Sequence, residues 1–277
     1  MKLLRSLLRG LVADDELSKV SGGFDMVGDI AVVKLPSSWS HEMKARAGEL
    51  LMQRIPRIKS VWNQVSPVKG EFRVRDLEYV AGERRTLTEY KESGVRLFVD
   101  VATAYFSPRL SSERLRVAGL VNEGEKIFNM FSGVGSFSLV IAKKISKVEI
   151  LSSEINPQAY MLMVKNVESN KLRGKVMPLL GDCRNHISGR EGMFDRVIMS
   201  LPNDARMYLP YAAAACKKGG VVHYYSTVRS DSRNFIEEEW SRVSGVNPCF
   251  KLQNARIVTE SGPRSCEIVL DLLYKPA

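Results

Sequence analysis

The 277-residue chain holds only four cysteines and three histidines. The cysteines, Cys183, Cys216, Cys249 and Cys266, are widely spaced with no CxxC pair. That excludes a zinc-ribbon pattern and a disulfide framework, and it fits a reducing cytoplasm, where the protein is expected. His41, His186 and His223 are equally scattered, so no structural metal is expected. No stretch of about 18 uncharged apolar residues occurs, which excludes a membrane-spanning helix. The run 1–11 is broken by Arg5 and Arg9 and lacks a small-residue cleavage site. It reads as a short amphipathic helix, not as a signal peptide. There is no internal repeat and no low-complexity block.

What is present is ordinary globular material, 44% hydrophobic and 26% charged. The length suits one large domain, or a large one with a small one. Lys and Arg outnumber Asp and Glu by 41 to 31, a net charge of +10. Such a balance favours a polyanionic partner, RNA first, or else serves only to keep a basic protein dispersed. Residues 1–110 carry 18 basic and 14 acidic side chains and the remainder 23 and 17. The excess is spread over the fold, so any nucleic acid would lie against folded surface.

Two patterns divide the chain. Residues 24–36 read as strand–turn–strand around Gly28-Asp29, and residues 40–55 have helical spacing. Strand-like runs follow at 60–65, 71–75, 79–80 and 96–101, so 21–105 predicts a small α+β unit. From about 111 helices and strands alternate. A helix opens at Ser111 or Ser112 as N-cap, and strands are expected at 126–131, 148–152, 176–180, 196–200, 220–225 and 266–273. Helices separate them, near 136–145, 157–170, 207–217 and 231–243. Strands spaced by single helices imply βαβ units and a largely parallel, doubly wound sheet. Ligands in such sheets sit at the carboxyl ends of the strands.

Those ends carry chemistry. The first is Phe131-Ser-Gly-Val-Gly-Ser-Phe137, where Gly133 and Gly135 allow a tight turn and close approach of a ligand. The third glycine of a dinucleotide fingerprint is replaced by Ser138. The second strand ends at Glu154, 21 residues after Gly133, where an acid can accept from two ribose hydroxyls. The third ends at Gly181-Asp182-Cys183-Arg184, where a carboxylate can accept from an adenine amino group, and the fourth at Ser200-Leu-Pro-Asn203. Each acid alone reads more readily as a helix cap or a surface charge; the set at successive strand ends points to an adenosine site. A dehydrogenase would complete the glycine set and offer a proton-transfer residue, which leaves that reading second.

The runs Tyr105-Phe-Ser-Pro-Arg-Leu-Ser-Ser-Glu-Arg114, Asn129-Met-Phe-Ser-Gly-Val-Gly135, Glu154-Ile-Asn-Pro157, Met199-Ser-Leu-Pro202 and Val222-His-Tyr-Tyr225 occur in this order. Together with Asp25-Met-Val-Gly-Asp-Ile-Ala31 they resemble the archaeal and eukaryal tRNA (guanine-37-N1)-methyltransferases, from about Phe24 to the last strand. The resemblance implies a Rossmann-like, doubly wound α/β methyltransferase sheet of class I at 111–277. It implies a smaller N-terminal α+β domain that contacts tRNA at 21–110, after a helix within 1–20. It also implies methyl transfer from S-adenosyl-L-methionine to guanosine 37 in the anticodon arm of tRNA, by a protein expected to be a monomer. N1 of guanine carries a proton at neutral pH, so a general base and a positive group near O6 are needed. Glu113 matches the family's base, Arg73 the arginine that holds O6, and Tyr105 a tyrosine beside the target base. Without the motif these would read as a first-turn helix acid, an exposed strand residue and a core aromatic. The same correspondence places Arg114, Phe131, Gly133, Gly135, Glu154, Ile155, Asp182, Cys183, Ser200 and Pro202 around the cofactor.

Two departures stand out. Ser200 occupies a position where the family usually has Asn, and serine lacks the amide's reach and second donor. Only about twenty residues precede Phe24, so the N-terminal domain with which many relatives feel the tRNA corner is expected to be missing. The neighbouring readings are an aminocarboxypropyl transferase or a wyosine-precursor methyltransferase of wybutosine synthesis. Ser107-Pro-Arg-Leu110 and Leu201-Pro202 argue against the former. A non-catalytic RNA-binding protein on the same scaffold is the remaining class, and Glu113 beside a complete cofactor set speaks against it.

Overall fold

The computed structural model of the chain describes residues 3–10, 12–262 and 264–276. It divides into two units, Met1–Glu92 with Arg96–Pro108, and Ser93–Val95 with Arg109–Ala277.

In the first unit the expected single N-terminal helix is two short ones, α1 (Leu3–Leu7) and α2 (Asp14–Lys19). The break falls at Gly10, whose φ of 87° lies in the left-handed region. Leu4, Leu8, Leu17 and Val20 from this segment are buried in one core with Val33, Leu51, Val61 and Val80. Strands β1 (Asp25–Val27) and β2 (Ile30–Val33) form the expected hairpin. Helix α3 (His41–Arg54) follows, capped by the Ser40 hydroxyl, which accepts from Met43 N at 3.2 Å. Strands β3 (Ser60–Gln64) and β4 (Leu77–Gly82) complete a sheet of order β1-β2-β3-β4. A separate ribbon pairs β5 (Leu87–Glu92) with β6 (Val95–Asp100). The strand expected at 71–75 is absent. That stretch is a turn held by an isolated Lys69–Val74 bridge, and Arg73 has a φ of 54°.

The 3₁₀ turn Pro108–Leu110, which spans the boundary to the second unit, runs straight into α4 (Ser111–Leu120). Leu110 therefore holds the N-cap position and no side chain caps the helix, contrary to the serine cap read from the sequence. The alternation then proceeds through β7 (Lys126–Asn129), α5 (Ser136–Lys144), β8 (Glu149–Glu154), α6 (Pro157–Glu168) and β9 (Lys175–Leu180). It continues with β10 (Phe194–Met199), α7 (Ala205–Ala215), β11 (Cys216–Arg229), α8 (Phe235–Val246), β12 (Phe250–Gly262) and β13 (Ser265–Tyr274). Their sheet has the order β12-β13-β11-β10-β7-β8-β9. Pairs from β11 through β9 are parallel, whereas β13 is antiparallel to both β11 and β12. Strand β12 has no counterpart in the sequence reading. The chain reverses its winding direction between β7 and β10, which marks the carboxyl ends of these two strands as the place for a ligand. The core beneath is built from Phe128, Met130, Leu151, Val197, Met199, Leu209, Val222 and Leu270, all buried. Among the described residues no helix is long and apolar enough to cross a membrane.

Candidate active site

After β7 the chain turns sharply: Gly135 N donates to Ser132 O at 2.8 Å, and Ser132 N reaches Ser153 O of the next strand at 2.9 Å. Gly133 and Gly135 have φ of 54° and 86°, so both need the left-handed region that glycine enters without a Cβ penalty. Gly135 is also the N-cap residue of α5. The Gly133 N–H points to Glu154 Oε2 at 2.6 Å, and the Asn156 N–H to Glu154 Oε1 at 2.8 Å. Burial raises the Glu154 pKa, against the pull of these backbone donors. Asn156 in turn caps α6, accepting from Gln158 N at 3.0 Å, and Pro157 occupies the helix's first turn, where no N–H is required. The Glu-Ile-Asn-Pro run thus fixes one carboxylate at the strand end, held by the backbone N–H groups of Gly133, Asn156 and Ile155, with one acceptor position left for a hydroxyl.

At the end of β9, Asp182 caps a 3₁₀ turn (Cys183–His186) and grips the Arg184 guanidinium with both oxygens, Nε lying 3.0 and 2.9 Å away. The Arg184 hydrogen bonds hold the Asp182 pKa below its usual range. Arg184 also lies over the rings of Tyr208 and Tyr211, at 5.5 and 5.9 Å, and Tyr208 meets Phe131 edge-on at 4.9 Å. Cys183 is buried and its thiol is pushed up to about 12, so it acts as a small apolar wall. Ser200 donates to the Phe131 carbonyl at 2.9 Å and ties the ends of β10 and β7 together. Its hydroxyl proton is spent there, which is what the substituted position does locally. Ile155 and Pro202 lie at the neighbouring strand ends, half-buried. Two carboxylates at successive strand ends, a glycine turn and an aromatic wall suit the ribose, adenine and amino-acid parts of S-adenosylmethionine.

Glu113 is the third residue of α4 and is buried, as is Arg114 beside it. Its Oε1 accepts from Arg116 Nη2 and from the Tyr225 hydroxyl, both at 2.7 Å. Its Oε2 accepts from Arg116 Nε at 2.9 Å and faces Arg256 Nη1 at 3.8 Å, beyond hydrogen-bond reach. Oε1 is therefore saturated, and Oε2 retains a lone pair. Burial and the adjacent Glu113 carboxylate push the Tyr225 hydroxyl well above its ordinary pKa. In the first unit, Arg73 and Tyr105 come together, the guanidinium 5.9 Å from the ring centroid. A positive φ at an arginine is uncommon and marks a locally strained position.

Sequence reasoning missed Arg116, Tyr225, Asp271, Arg184 and Tyr208 as parts of these clusters. A signal existed for two of them. Asp271 is a lone acid inside the apolar run Ile268-Val-Leu-Asp-Leu-Leu273, and Tyr225 closes a run already singled out. Arg184 and Tyr208 are 24 residues apart and meet only through the fold.

Comparison with known proteins agrees with this geometry. The TRM5/TYW2 methyltransferase domain matches residues 88–245, and the TYW2 N-terminal domain residues 4–86. The tRNA (guanine(37)-N(1))-methyltransferase Trm5b of Methanocaldococcus jannaschii is 40% identical over 253 residues, which cover 91% of this chain and 71% of the relative. The tRNA 4-demethylwyosine(37)-methyltransferase Taw21 of Saccharolobus solfataricus is 33% identical, with 97% of this chain and 99% of the relative covered. Among solved structures, aTrm5 in its complex with tRNALeu superposes with a TM-score of 0.85 at 33% identity, covering 98% of this chain and 78% of that one. The chain belongs to the TRM5/TYW2 methyltransferase family, whose fold is a class I sheet with a small N-terminal domain and whose methyl donor is S-adenosylmethionine.

Proposed function

We propose that the protein methylates N1 of guanosine 37 in tRNA. The observation that carries this reading is the Glu113 carboxylate, held on both oxygens by Arg116 and left with a lone pair on Oε2. S-adenosylmethionine supplies, when bound, a methyl group on a sulfonium that leaves as a neutral thioether. Glu154 would hold its ribose, and Asp182 with Tyr208 and Phe131 its adenine. Glu113 Oε2 accepts the N1 proton, and the lone pair left on N1 becomes the nucleophile. In the first unit, the family resemblance assigns Arg73 to the charge that develops on O6 and the Tyr105 ring to a base drawn out of its stack. Arg114, Ile155, Cys183 and Pro202 shape the donor site, and Ser200 keeps two strand ends in register. The net charge of +10 suits a tRNA partner. So does the likeness to relatives whose names specify that position, and to aTrm5, solved in complex with tRNALeu.

A second activity has support from one observation: the Taw21 relative is matched along nearly its whole length. A tricyclic guanine derivative at position 37 is the corresponding second substrate. The test is Glu113→Ala with both measurements made on the same preparation. An enzyme keeps its tRNA affinity and loses turnover by about a hundredfold or more, in the range of a lost general base. Unchanged turnover would remove the reading.

A further inference from the structure

Behind Glu113 lies a chain of buried charged and polar groups that the proposed reaction does not touch. Arg116 uses two edges of its guanidinium. Nη1 and Nη2 reach Asp271 at 2.7 and 3.1 Å, while Nε and Nη2 reach Glu113. Asp271 Oδ1 also meets His223 Nδ1 at 2.5 Å, and Oδ2 accepts from Asn254 at 3.1 Å. His223 and Asp271 are direct cross-strand partners on β11 and β13. On its other side His223 Nε2 lies 2.7 Å from Arg196 Nη1, and Arg196 is itself held by Glu125 at 2.8 Å and by the Leu120 carbonyl.

The donor inventory fixes the imidazole. An arginine can only donate, so His223 Nε2 is the acceptor. The ring proton then sits on Nδ1 and is given to Asp271. His223 is thus neutral in one tautomer, in agreement with the burial that lowers its pKa. Burial would push the Asp271 carboxyl up, but the bonds from His223 and Arg116 outweigh it and hold its pKa below the usual range. With both Asp271 oxygens saturated, the carboxylate cannot turn, and the Arg116 fork it receives has one orientation. The other edge of that fork orients Glu113. An ionic chain of this kind adds little stability over apolar packing, because desolvation offsets most of its attraction. Its geometric definition is what an apolar replacement would lose.

We propose that His223 is a positioning residue for the methyl transfer, acting through Asp271 and Arg116 to hold Glu113 Oε2 where the N1 proton arrives. This rests on Glu113 being the base. His223→Asn and His223→Gln separate the relay from mere space-filling. The Asn amide nitrogen falls near the Nδ1 position and keeps the donor to Asp271. The Gln amide falls near Nε2, keeps the contact with Arg196 and leaves Asp271 unserved.

The experiment measures kcat and KM for methyl transfer to G37 tRNA with the full chain, alongside E113Q and a thermal melt of each variant. H223Q is expected to lose about tenfold to a hundredfold in kcat with KM for tRNA unchanged, the scale of a misplaced catalytic group. H223N is expected to stay within about threefold of the wild type, since its bond to Asp271 survives. Should H223Q fail to fold, R116K gives the second reading. A lysine's single ammonium cannot bridge two carboxylates with parallel bonds, so the same fall in kcat is expected. Equal losses in H223N and H223Q, or full kcat in H223Q or R116K while E113Q is inactive, would overturn the proposal alone. Full activity in E113Q would overturn the base assignment and this proposal with it.

Discussion

Replacing Glu154 perturbs the donor site at a single carboxylate whose partners are known. In the protein its two oxygens accept from the backbone N–H groups of Gly133, Asn156 and Ile155, which leaves one acceptor position for a ribose hydroxyl. A hydrogen bond to a charged group contributes about 1.5–3 kcal/mol. At about 1.4 kcal/mol per tenfold, E154A should bind S-adenosylhomocysteine about tenfold to a hundredfold more weakly. E154Q keeps the shape but not the acceptor set. Its NH2 must face the N–H of Gly133 or of Asn156, a donor against a donor, and binding should fall by at least about tenfold for one unmade bond. There is a pH signature as well. Burial raises the Glu154 pKa, so the carboxylate takes up a proton earlier than an exposed glutamate would as pH falls. The ligand prefers the ionised acceptor, so wild-type affinity should weaken on the acid side, while E154Q shows a flatter profile. Isothermal titration calorimetry at pH 8, 7, 6 and 5 reads all of this. Wild-type affinity in a folded E154A would refute the assignment of this strand end to the ribose.

Two further predictions concern the scaffold. Gly135→Ala places a Cβ 2.6 Å from Leu139 Cδ1 and 2.9 Å from Met163 Cγ at a φ of 86°. It should therefore cost about 1–3 kcal/mol beyond Gly124→Ala, an overpacking penalty that the open position of Gly124 does not carry; equal costs in urea denaturation would contradict the packing. For His223 the folded pKa is lowered, so between about pH 6.5 and that lower value the unfolded chain binds a proton that the folded chain refuses. Stability should fall as pH falls through this window, by up to about 1.4 kcal/mol per pH unit. H223N should lose that part of the slope, and an unchanged slope would show that the imidazole is not held neutral.

Much of the second unit could be read from the chain. Runs such as Ile127-Phe128 and Val197-Ile198 are buried on both faces in a parallel sheet, and the helices between them carry an apolar side, so periodicity and length sufficed. Strand β12 escaped because it is an edge strand. Lys251, Gln253, Asn254 and Arg256 are exposed, and its register slips at three places against β13, which erases a period of two. The Glu71–Arg75 stretch misled for the opposite reason, since Phe72 and Val74 alternate with charges in what is a turn. The α4 cap was misread because Leu110 already continues a 3₁₀ turn and both serines fall inside the helix.

The candidate site divides in the same way. Glu154 and the glycine turn lie close to strand ends that local pattern locates, so the chain order revealed them. The surroundings of Glu113 come from α4, β11 and β13, the last of them more than 150 residues away in the chain. Spacing carries no record of that convergence. The signal that could have marked it is chemical anomaly, a histidine in Val221-Val-His-Tyr and an aspartate in Leu270-Asp-Leu, each at a position where a sheet core excludes an unpaired polar group.

The reaction proposed for this protein is methyl transfer to N1 of guanosine 37. The direct measurement is incorporation of labelled methyl from S-adenosylmethionine into unmodified tRNA with G at position 37, beside the same tRNA carrying A there, with nucleosides resolved after digestion. Label is expected in N1-methylguanosine from the first tRNA and none from the second. Equal labelling of both, or label in any other nucleoside of the G37 tRNA, would contradict it.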